Sequence, residues 1–306
     1  MVNRRTFLKQ TSIASIGSLT FSKAHAFFKN TAIPAPGLQL FTFFNTIDDD
    51  VKGTLQKIAD IGYKNIESAF SKKGGYYGMK PKEFASMLNG MGMSWKSHHV
   101  LGAPFKLPPG AKVPNDANGK PLTIPPMKNL RDNFQELVDE AAEGGVEYLV
   151  CANTPINTME DLKSSVAVLN KTGEAAQKAG LQFAYHNHDA EFKTVDGVVP
   201  YEMFLSETDP KKVKMELDLA WAIKGGSDPV ALFQKQPGRF PLWHVKDLDA
   251  SRNTILPVGK GTIDFTRIFK AADTAGMKYY FVEHDMPADA FGSTKESIGN
   301  LKKLTA

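Results

Sequence analysis

The stretch Ala179-Gly-Leu-Gln-Phe-Ala-Tyr-His-Asn-His188 holds the pattern that decides the fold. Glycine accepts the left-handed backbone conformation that ends a helix, so Gly180 marks the end of one. The apolar and aromatic residues after it are typical of a short buried strand, and histidines stand where that strand ends. The stretch predicts a unit in which a helix leads into a strand with polar side chains at its carboxyl end.

The same unit recurs along the chain. Glycine again separates a helical pattern from a strand at Ile61-Gly-Tyr63, Met91-Gly-Met93, Gly144-Gly-Val146 and Ala275-Gly-Met277. Apolar runs predict strands at Leu38–Phe43, Asn65–Phe70, Ser94–His99, Tyr148–Cys151, Leu181–His186, Val213–Leu219, Leu242–Val245 and Tyr279–Val282. Strands that alternate with helices such as Val51–Ile61 predict an α/β protein, a single-domain (β/α)8 TIM barrel. No Gly-x-Gly-x-x-Gly follows the first strand, which disfavours a dinucleotide-binding sheet.

The first 26 residues are typical of an export signal. The basic run Asn3-Arg-Arg-Thr-Phe-Leu-Lys9 precedes a mildly apolar stretch from Thr11 to Phe21 and the small-residue motif Ala24-His-Ala26. This order predicts a signal peptide over residues 1–26 that is cleaved after Ala26. The paired arginines resemble the twin-arginine signal, which implies the Tat export machinery as a partner and a periplasmic or otherwise exported protein. The alternative is a lipid-bound or disordered helix, and no stable membrane anchor is expected because the apolar part is too short to span a bilayer.

The charge balance argues against a nucleic-acid partner. The chain has 37 lysines and arginines against 33 aspartates and glutamates. The leader contains no acidic residue but four basic ones, Arg4, Arg5, Lys9 and Lys23, so the predicted barrel domain over residues 27–306 is neutral. A neutral domain lacks the basic surface that nucleic-acid binding requires, and no nucleic acid is expected.

Four predicted strands in the C-terminal half end in residues that could bind a metal. The runs are Phe183–His188, Met215–Trp221, Leu242–Asp247 and Tyr280–Asp285. Functional side chains of a (β/α)8 barrel project from the carboxyl ends of its strands, so these ligands are expected to meet at one point. Carboxylate oxygens and imidazole nitrogens suit a divalent ion such as manganese, magnesium, cobalt or zinc. The sequence therefore predicts one divalent metal ion as cofactor.

Each candidate ligand also has an ordinary structural role open to it. Asp218 could cap the next helix or pair with an arginine, but an ionised carboxylate in an apolar strand is costly without a cation, which favours a ligand. Glu283 follows the same logic. His244 alone could be a hydrogen-bonded core histidine, and its assignment depends on the partners offered by the other strands. Either His186 or His188 could be a metal ligand. The other would then support that ligand by a hydrogen bond or contact the substrate.

Polar and aromatic residues at other strand ends are candidate substrate contacts. Glu67 lies in the second strand, and His98 and His99 end the third, where they could contact sugar hydroxyls, move protons or be bonded to buried backbone. Trp221 could form an apolar wall for a sugar ring or pack in the core. Lys246 faces the same site if the seventh strand extends that far.

One predicted connection is longer than the others. Residues 101–127 contain seven prolines and follow the third strand. Loops of this length are usually functional, so we expect this one to cover the pocket or to touch a neighbouring subunit. The second outcome would make the protein a homo-oligomer.

Five segments near the predicted strand ends carry a resemblance to a known family: Tyr185-His-Asn-His188, Glu216-Leu-Asp218, His244-Val-Lys-Asp247, Val258-Gly-Lys-Gly-Thr-Ile-Asp-Phe265 and Val282-Glu283. Together they resemble the sugar phosphate isomerase/epimerase family of the xylose isomerase-like TIM barrels, from about Leu38 to the C-terminus. The resemblance implies a barrel that holds one divalent metal and binds a sugar substrate. It also implies an isomerase of carbohydrate metabolism that abstracts a proton beside a carbonyl, leading to isomerisation, epimerisation or elimination.

The sequence departs from the family pattern at one ligand. Ketose epimerases of this superfamily carry a glutamate at the end of the fifth strand, where this chain has His186. The resemblance implies His186, Asp218, His244 and Glu283 as metal ligands, and Glu283 as the base with His186 or His188 as its partner. The predicted export favours unphosphorylated substrates such as keto-sugars or 3-keto-glycosides, and a 3-keto-glycoside lyase is the alternative reaction on the same site.

Two further classes compete with this interpretation. Endonuclease-four-type enzymes of the superfamily hold three zinc ions and carry a histidine where this chain has Trp221, and the neutral charge also argues against them. A non-catalytic periplasmic sugar-binding barrel would need a pocket and aromatic residues but no convergent ligands. Bound metal would separate the binding protein from the enzyme.

Overall fold

The structure, a computed structural model, describes residues 33–105 and 127–304. The predicted signal peptide, its cleavage site after Ala26 and most of the proline-rich connection lie outside these residues. In the two described ranges, no helix is both long enough and apolar enough to cross a membrane.

Parallel strands close into a barrel. Its strands are β1 (Gly37–Gln39), β2 (Asn65–Ser68), β3 (Ser94–Leu101), β4 (Tyr148–Asn153), β5 (Gln182–His186), β6 (Val213–Asp218), β7 (Leu242–Val245) and β10 (Tyr279–Val282). Each strand pairs in parallel with the next one, and β10 closes the ring against β1. A small antiparallel pair, β8 (Asp247–Leu248) and β9 (Ile255–Leu256), follows β7. The predicted (β/α)8 barrel is confirmed.

Helices connect the strands around the barrel. They are α1 (Val51–Ile61), α2 (Pro81–Gly90), α3 (Leu130–Gly144), α4 (Met159–Lys178), α5 (Pro200–Glu207), α6 (Leu219–Lys224), α7 (Pro229–Lys235), α8 (Phe265–Phe269), α9 (Ala272–Ala275) and α10 (Ala290–Leu304). The Asp50 side chain caps α1 by accepting a hydrogen bond from the Gly53 N–H. Gly62 ends this helix at φ 111°, in the left-handed region that the sequence pattern predicted.

The predicted first strand is partly wrong. Only Gly37–Gln39 is extended, whereas Leu40–Phe43 forms a 3-10 helix. The Gln39 side chain accepts a hydrogen bond from the Phe41 N–H at 3.0 Å and so caps this turn. The apolar residues here predict a strand, and Leu40 and Phe43 are indeed buried, but the chain has already turned. The bounds of the other predicted strands differ from the structure by at most two residues.

The barrel interior changes from apolar to polar along its strands. Leu242 and Phe281 belong to a buried apolar cluster that also contains Val150 and Ala184. Two residues further along the same strands, on the same face, stand His244 and Glu283. The carboxyl half of the barrel therefore contains the ionisable side chains that form the site.

Candidate metal centre

Three strands bring potential ligand atoms together at their carboxyl ends. Asp218, His244 and Glu283 are buried, and one oxygen or nitrogen of each lies within 4.8 Å of the others. Asp218 Oδ2, His244 Nδ1 and Glu283 Oε2 make no well-aligned hydrogen bond among the described residues, although His244 Nδ1 lies 2.6 Å from Glu283 Oε2 and the Lys246 ammonium pairs with both carboxylates. Buried polar atoms normally make hydrogen bonds, so three such atoms facing one another could also hold a divalent cation. Two carboxylates and one imidazole suit a divalent ion, and the residues fit the predicted metal.

Lys246 brings a positive charge to the same place. Its Nζ lies 3.1 Å from Asp218 Oδ2, 2.8 Å from Glu283 Oε2 and 2.7 Å from Asp285 Oδ1. Burial would lower the pKa of Lys246, but these carboxylates outweigh it and raise that pKa well above its usual range. Burial would likewise raise the pKa of Glu283, but Lys246 and His244 outweigh it and lower the pKa. Lys246 is therefore charged and Glu283 ionised at neutral pH.

Asp218 has the two roles that the sequence left open. Its Oδ1 accepts a hydrogen bond from the Trp221 N–H at 2.8 Å and caps α6, which begins directly after β6. Its Oδ2 is the atom that faces His244 and Lys246. One carboxylate thus fixes the strand-to-helix turn and offers a ligand.

A second buried cluster adjoins the first through His244. It contains His99, His186, Glu216 and His244, with potential ligand atoms within 4.8 Å of one another. His99 Nε2 lies 2.6 Å from Glu216 Oε2 and 3.1 Å from Glu67 Oε1, while His244 Nε2 lies 2.5 Å from Glu67 Oε1. This cluster could also hold a divalent metal by residue type. Within or beside it His99 is hydrogen-bonded to Glu216 and His244 to Glu67, whereas His186 Nδ1 and Glu216 Oε1 have no hydrogen-bond partner among the described residues.

The charges of the second cluster balance one another. Burial and the Glu67 carboxylate raise the pKa of Glu216 to about 7. Burial would lower the pKa of His99, but Glu67 and Glu216 outweigh it and raise that pKa to about 9. The pKa of His244 is raised well above its usual range because nearby carboxylates again outweigh burial. In the metal-free protein, cationic imidazoles therefore lie among carboxylates at neutral pH, and a metal at His244 Nδ1 would displace a proton from that ring.

His186, the last residue of β5, belongs to the second cluster and also approaches the first. Its Nε2 is 4.0 Å from Asp218 Oδ2, and its Nδ1 is 3.2 Å from Glu216 Oε2. Burial and the charge of His244 lower the pKa of His186 well below its usual range. A metal requires a neutral imidazole, so His186 has the position and the protonation state of a ligand. His188 is half-buried, with its ring 6.2 Å from the ring of Trp221.

The comparisons with known proteins agree with this geometry. Residues 55–304 match the family model described as xylose isomerase-like TIM barrel, which is more than half of the chain. The chain belongs to this family. A crystal structure of a sugar phosphate isomerase/epimerase from Parabacteroides distasonis ATCC 8503 aligns with a TM-score of 0.70 and 29% identity, over 90% of this chain and 96% of that one.

Other known proteins are similar to this chain over part of its length or in fold alone. An inosose dehydratase from Geobacillus thermodenitrificans (strain NG80-2) is 28% identical over 158 residues, or 46% of this chain and 52% of the relative. The chain thus spans about half the length of the inosose dehydratases it matches. A structure of the IolI protein with a bound zinc atom aligns with a TM-score of 0.63 at 18% identity, which shows the shared fold.

The predicted substrate contacts fall in different places. Trp221 lies beside the first cluster of this xylose isomerase-like barrel, with Lys246 Nζ 5.3 Å from its ring centre. Glu67 has no exposed surface and pairs with His99 beside the second cluster. His98 and His99 line a cavity of about 150 Å³ at the end of β3. Contacts of these residues with a substrate stay predictions.

A chain of hydrogen bonds fixes the ring of His98, and burial keeps that ring neutral. Trp95 Nε1 donates to Ser68 Oγ at 2.7 Å, and Ser68 Oγ lies 2.7 Å from His98 Nδ1. The serine hydroxyl thus links the Trp95 indole to the His98 imidazole. Burial, with the charge of His99, lowers the pKa of His98 to about 3.

Replacing His98 with glutamine is expected to flatten the acid dependence of stability. The pKa of His98 is about 3 in the folded state and about 6.5 in the unfolded state. Below pH 6.5 the unfolded chain therefore binds a proton at His98 that the folded chain does not bind. The free energy of unfolding then decreases as the pH falls, by about 1.4 kcal/mol per pH unit. Urea unfolding of wild type and variant between about pH 5 and 7.5 checks this. Equal slopes against pH in the two proteins would contradict it.

Sequence analysis assigned no role to Glu216 or Asp285. Glu216 is two residues before Asp218, so strand alternation already placed it on the same face. Asp285 follows β10 in a loop whose path the sequence does not give, and only the structure shows its bond to Lys246.

Asp247 organises the loop that carries the motif Gly259-Lys-Gly261. Its Oδ2 accepts hydrogen bonds from the N–H groups of Gly259 and Gly261, each at 2.9 Å. Its Oδ1 accepts from Leu248 and Ile263 at 2.9 and 3.2 Å. A side chain at position 261 would collide with Asp247, since a Cβ there would lie 2.3 Å from Oδ1. The glycines thus let the backbone surround a carboxylate of the chain itself.

Replacing Lys246 with methionine is expected to destabilise the metal-free protein by about 3–5 kcal/mol, because it leaves a cluster of buried carboxylates without their cation. A divalent ion supplies positive charge to the same carboxylates, so added Mn²⁺ should raise the melting temperature of Lys246→Met more than that of wild type. Thermal melts in EDTA and in Mn²⁺ measure both effects.

Lys224→Met is the matched control for this change. Lys224 Nζ also lies over the Trp221 ring, 4.5 Å from its centre, but the side chain is partly exposed. Its loss should change stability by no more than about 0.5 kcal/mol. A Lys246→Met protein as stable as wild type in EDTA would show that the lysine does not offset the carboxylates.

Proposed function

We propose that the protein is a divalent-metal-dependent enzyme that removes a proton next to the carbonyl of a sugar or keto-sugar. The observation that carries this proposal is the convergence of potential ligand atoms of Asp218, His244 and Glu283, all buried, at the carboxyl end of the barrel. His186 completes the ligand set. The zinc atom in the IolI structure, which has the same fold, supports a metal in such a barrel.

A bound divalent ion would polarise the substrate carbonyl and stabilise the negative charge that develops when the adjacent proton leaves. Glu283 accepts that proton at a carboxylate oxygen, since it is ionised and 5% exposed. His188, half-buried beside Trp221, is the second group that carries a proton. Lys246 holds a substrate oxygen through its charged Nζ, which already lies 2.8 Å from Glu283.

The fate of the abstracted proton decides the class of reaction. Return of the proton to another carbon or to the opposite face gives an isomerase or epimerase, as the sugar phosphate isomerase/epimerase structure supports. Loss of a group beside the carbanion gives a lyase. The inosose dehydratase relatives, whose name denotes removal of water, support this second candidate, which for this chain would be a 3-keto-glycoside lyase.

One expectation and one observation support an unphosphorylated substrate. The export predicted from the sequence would place the enzyme away from most phosphorylated sugars. The loop after β7, with the backbone N–H groups of Gly259 and Gly261, is filled by the Asp247 carboxylate. Its backbone donors are therefore not available to a substrate phosphate.

Proton NMR in deuterated water tests the proposal on a panel of keto-sugars, aldoses and 3-keto-glycosides. We expect deuterium to enter next to the carbonyl of at least one substrate when Mn²⁺ is present and not after its removal. An unsaturated product would identify elimination. A protein that binds Mn²⁺ but exchanges no proton across the panel would contradict the reaction, and one that binds sugar but no metal would be a sugar-binding barrel.

A further inference from the structure

His244 presents one ring nitrogen to each of the two buried clusters. Its Nδ1 lies 2.6 Å from Glu283 Oε2 and 3.9 Å from Asp218 Oδ2, on the side of the metal ligands. Its Nε2 lies 2.5 Å from Glu67 Oε1, on the side away from them. The His244 ring has no exposed surface, and it stacks parallel to His99 at 5.2 Å. The groups around the His244 ring therefore fix its orientation and decide which of its nitrogens faces the metal ligands.

Glu67 is itself fixed by the strands on both sides of β2. Its Oε1 accepts a hydrogen bond from Gln39 Nε2 on β1 at 2.7 Å, and its Oε2 accepts from Ser97 Oγ on β3. Gln39 is in turn held by the Phe41 N–H, which donates to Gln39 Oε1. Both oxygens of Glu67 thus have donors on neighbouring strands, and the side chain is completely buried. Such a carboxylate has no freedom to turn towards a substrate.

We infer that Glu67 is a positioning residue. Its carboxylate accepts a hydrogen bond from the Nε2–H of His244, and this bond keeps the Nδ1 lone pair of His244 directed towards the metal. The inference rests on the proposed function, because it concerns the metal of that site. A metal-binding imidazole must leave one nitrogen unprotonated, and the hydrogen bond at the other nitrogen decides which one it is. Here the only carboxylate oxygen within 3 Å of Nε2 among the described residues belongs to Glu67.

Cobalt binding by Glu67→Ala and Glu67→Gln tests this role. Loss of a carboxylate behind a metal-binding histidine typically weakens metal binding about 10–100-fold. We expect such a loss of Co²⁺ affinity for Glu67→Ala, measured by calorimetry. Glu67→Gln should lose less, because its amide oxygen can still accept the Nε2 proton while its NH2 group faces the Ser97 hydroxyl. The visible spectrum of bound Co²⁺ should also change in Glu67→Ala, which a purely structural role would not require.

Tyr63→Phe is the matched control. It removes a buried hydrogen bond from Tyr63 Oη to the Thr294 carbonyl, of 2.8 Å, just before β2. It should lower stability and leave the Co²⁺ affinity unchanged. Ser97→Ala, which frees one oxygen of Glu67, should weaken Co²⁺ binding severalfold and keeps the test open if Glu67→Ala does not fold.

The outcomes separate this inference from the proposed function. If the wild type binds no Co²⁺, the proposed function is overturned and this inference with it. If the wild type binds Co²⁺ and Glu67→Ala binds it equally well, with the same spectrum, only the positioning role is overturned. The same holds if Glu67→Gln loses as much affinity as Glu67→Ala, or if Ser97→Ala binds Co²⁺ as wild type does.

Discussion

Replacing Glu283 with glutamine is expected to slow deuterium exchange into the substrate by about 10²–10⁴-fold, the usual contribution of a general base. Glutamine keeps the size of the side chain and one oxygen but cannot accept the proton. Because Asp218, His244 and His186 remain, the variant should still bind metal, though more weakly. Exchange rates at saturating Mn²⁺, together with the metal content of the protein, measure the two effects separately.

Asp285→Asn is the control for this variant. Asp285 also contacts Lys246 Nζ, at 2.7 Å, but it is not among the residues that could hold the metal. Its replacement removes a carboxylate from the same loop and should slow exchange far less than Glu283→Gln does. If Glu283→Gln exchanged protons as fast as wild type with metal bound, Glu283 would not be the base. If it lost metal and regained full activity at higher Mn²⁺, Glu283 would be a ligand only.

Replacing Asp218 with asparagine is expected to weaken Mn²⁺ binding by at least about 100-fold, more than the loss of a group behind a ligand. Asparagine retains the oxygen that caps α6, so the fold should persist. At a concentration of 100 times its dissociation constant, Mn²⁺ stabilises wild type by about 2.7 kcal/mol, or about 5–10 °C in melting temperature. The same concentration should stabilise Asp218→Asn by only about 0.4 kcal/mol.

Asp264→Asn provides the matched control. Asp264 caps α8 by accepting a hydrogen bond from the Arg267 N–H at 2.9 Å, as Asp218 caps α6, but it is not among the residues that could hold the metal. The melting temperature of Asp264→Asn should therefore rise with Mn²⁺ as that of wild type does. An Asp218→Asn protein that shows the same rise would remove Asp218 from the ligand set.

Local signals were enough to predict most of the barrel. The bounds of α1, β7 and β10 were predicted to the residue, because helix-ending glycines and short apolar runs coincide there with the true boundaries. The first strand failed because one polar side chain, Gln39, turns the chain by bonding to Phe41, whereas the apolar pattern continues unchanged. Hydrophobic periodicity reports burial, and burial alone does not distinguish a strand from a turn.

The candidate ligands could be predicted from the sequence, but the residues that hold them in place could not. The rule that functional residues stand at the carboxyl ends of barrel strands pointed to Asp218, His244 and Glu283, which the structure brings together. The partners of these residues could not be predicted. Glu67 meets His244 across 177 positions of sequence, and this contact depends on how the closed barrel aligns its strands. Strand alternation predicts which face of the sheet a side chain occupies, but it does not predict the position of that side chain along the barrel axis.

The Asp247 loop has a consequence for how substrate range could change within such a barrel. Four backbone N–H groups surround a single carboxylate that the chain supplies itself. A descendant that lost this one side chain would inherit a ready-made receptor for an external anion, provided the loop kept its shape. In evolutionary terms, access to phosphorylated sugars would then require the deletion of a carboxylate and no new basic residue. On the proposed function, the preference for unphosphorylated substrates would then come from an anion site that the protein's own carboxylate already occupies.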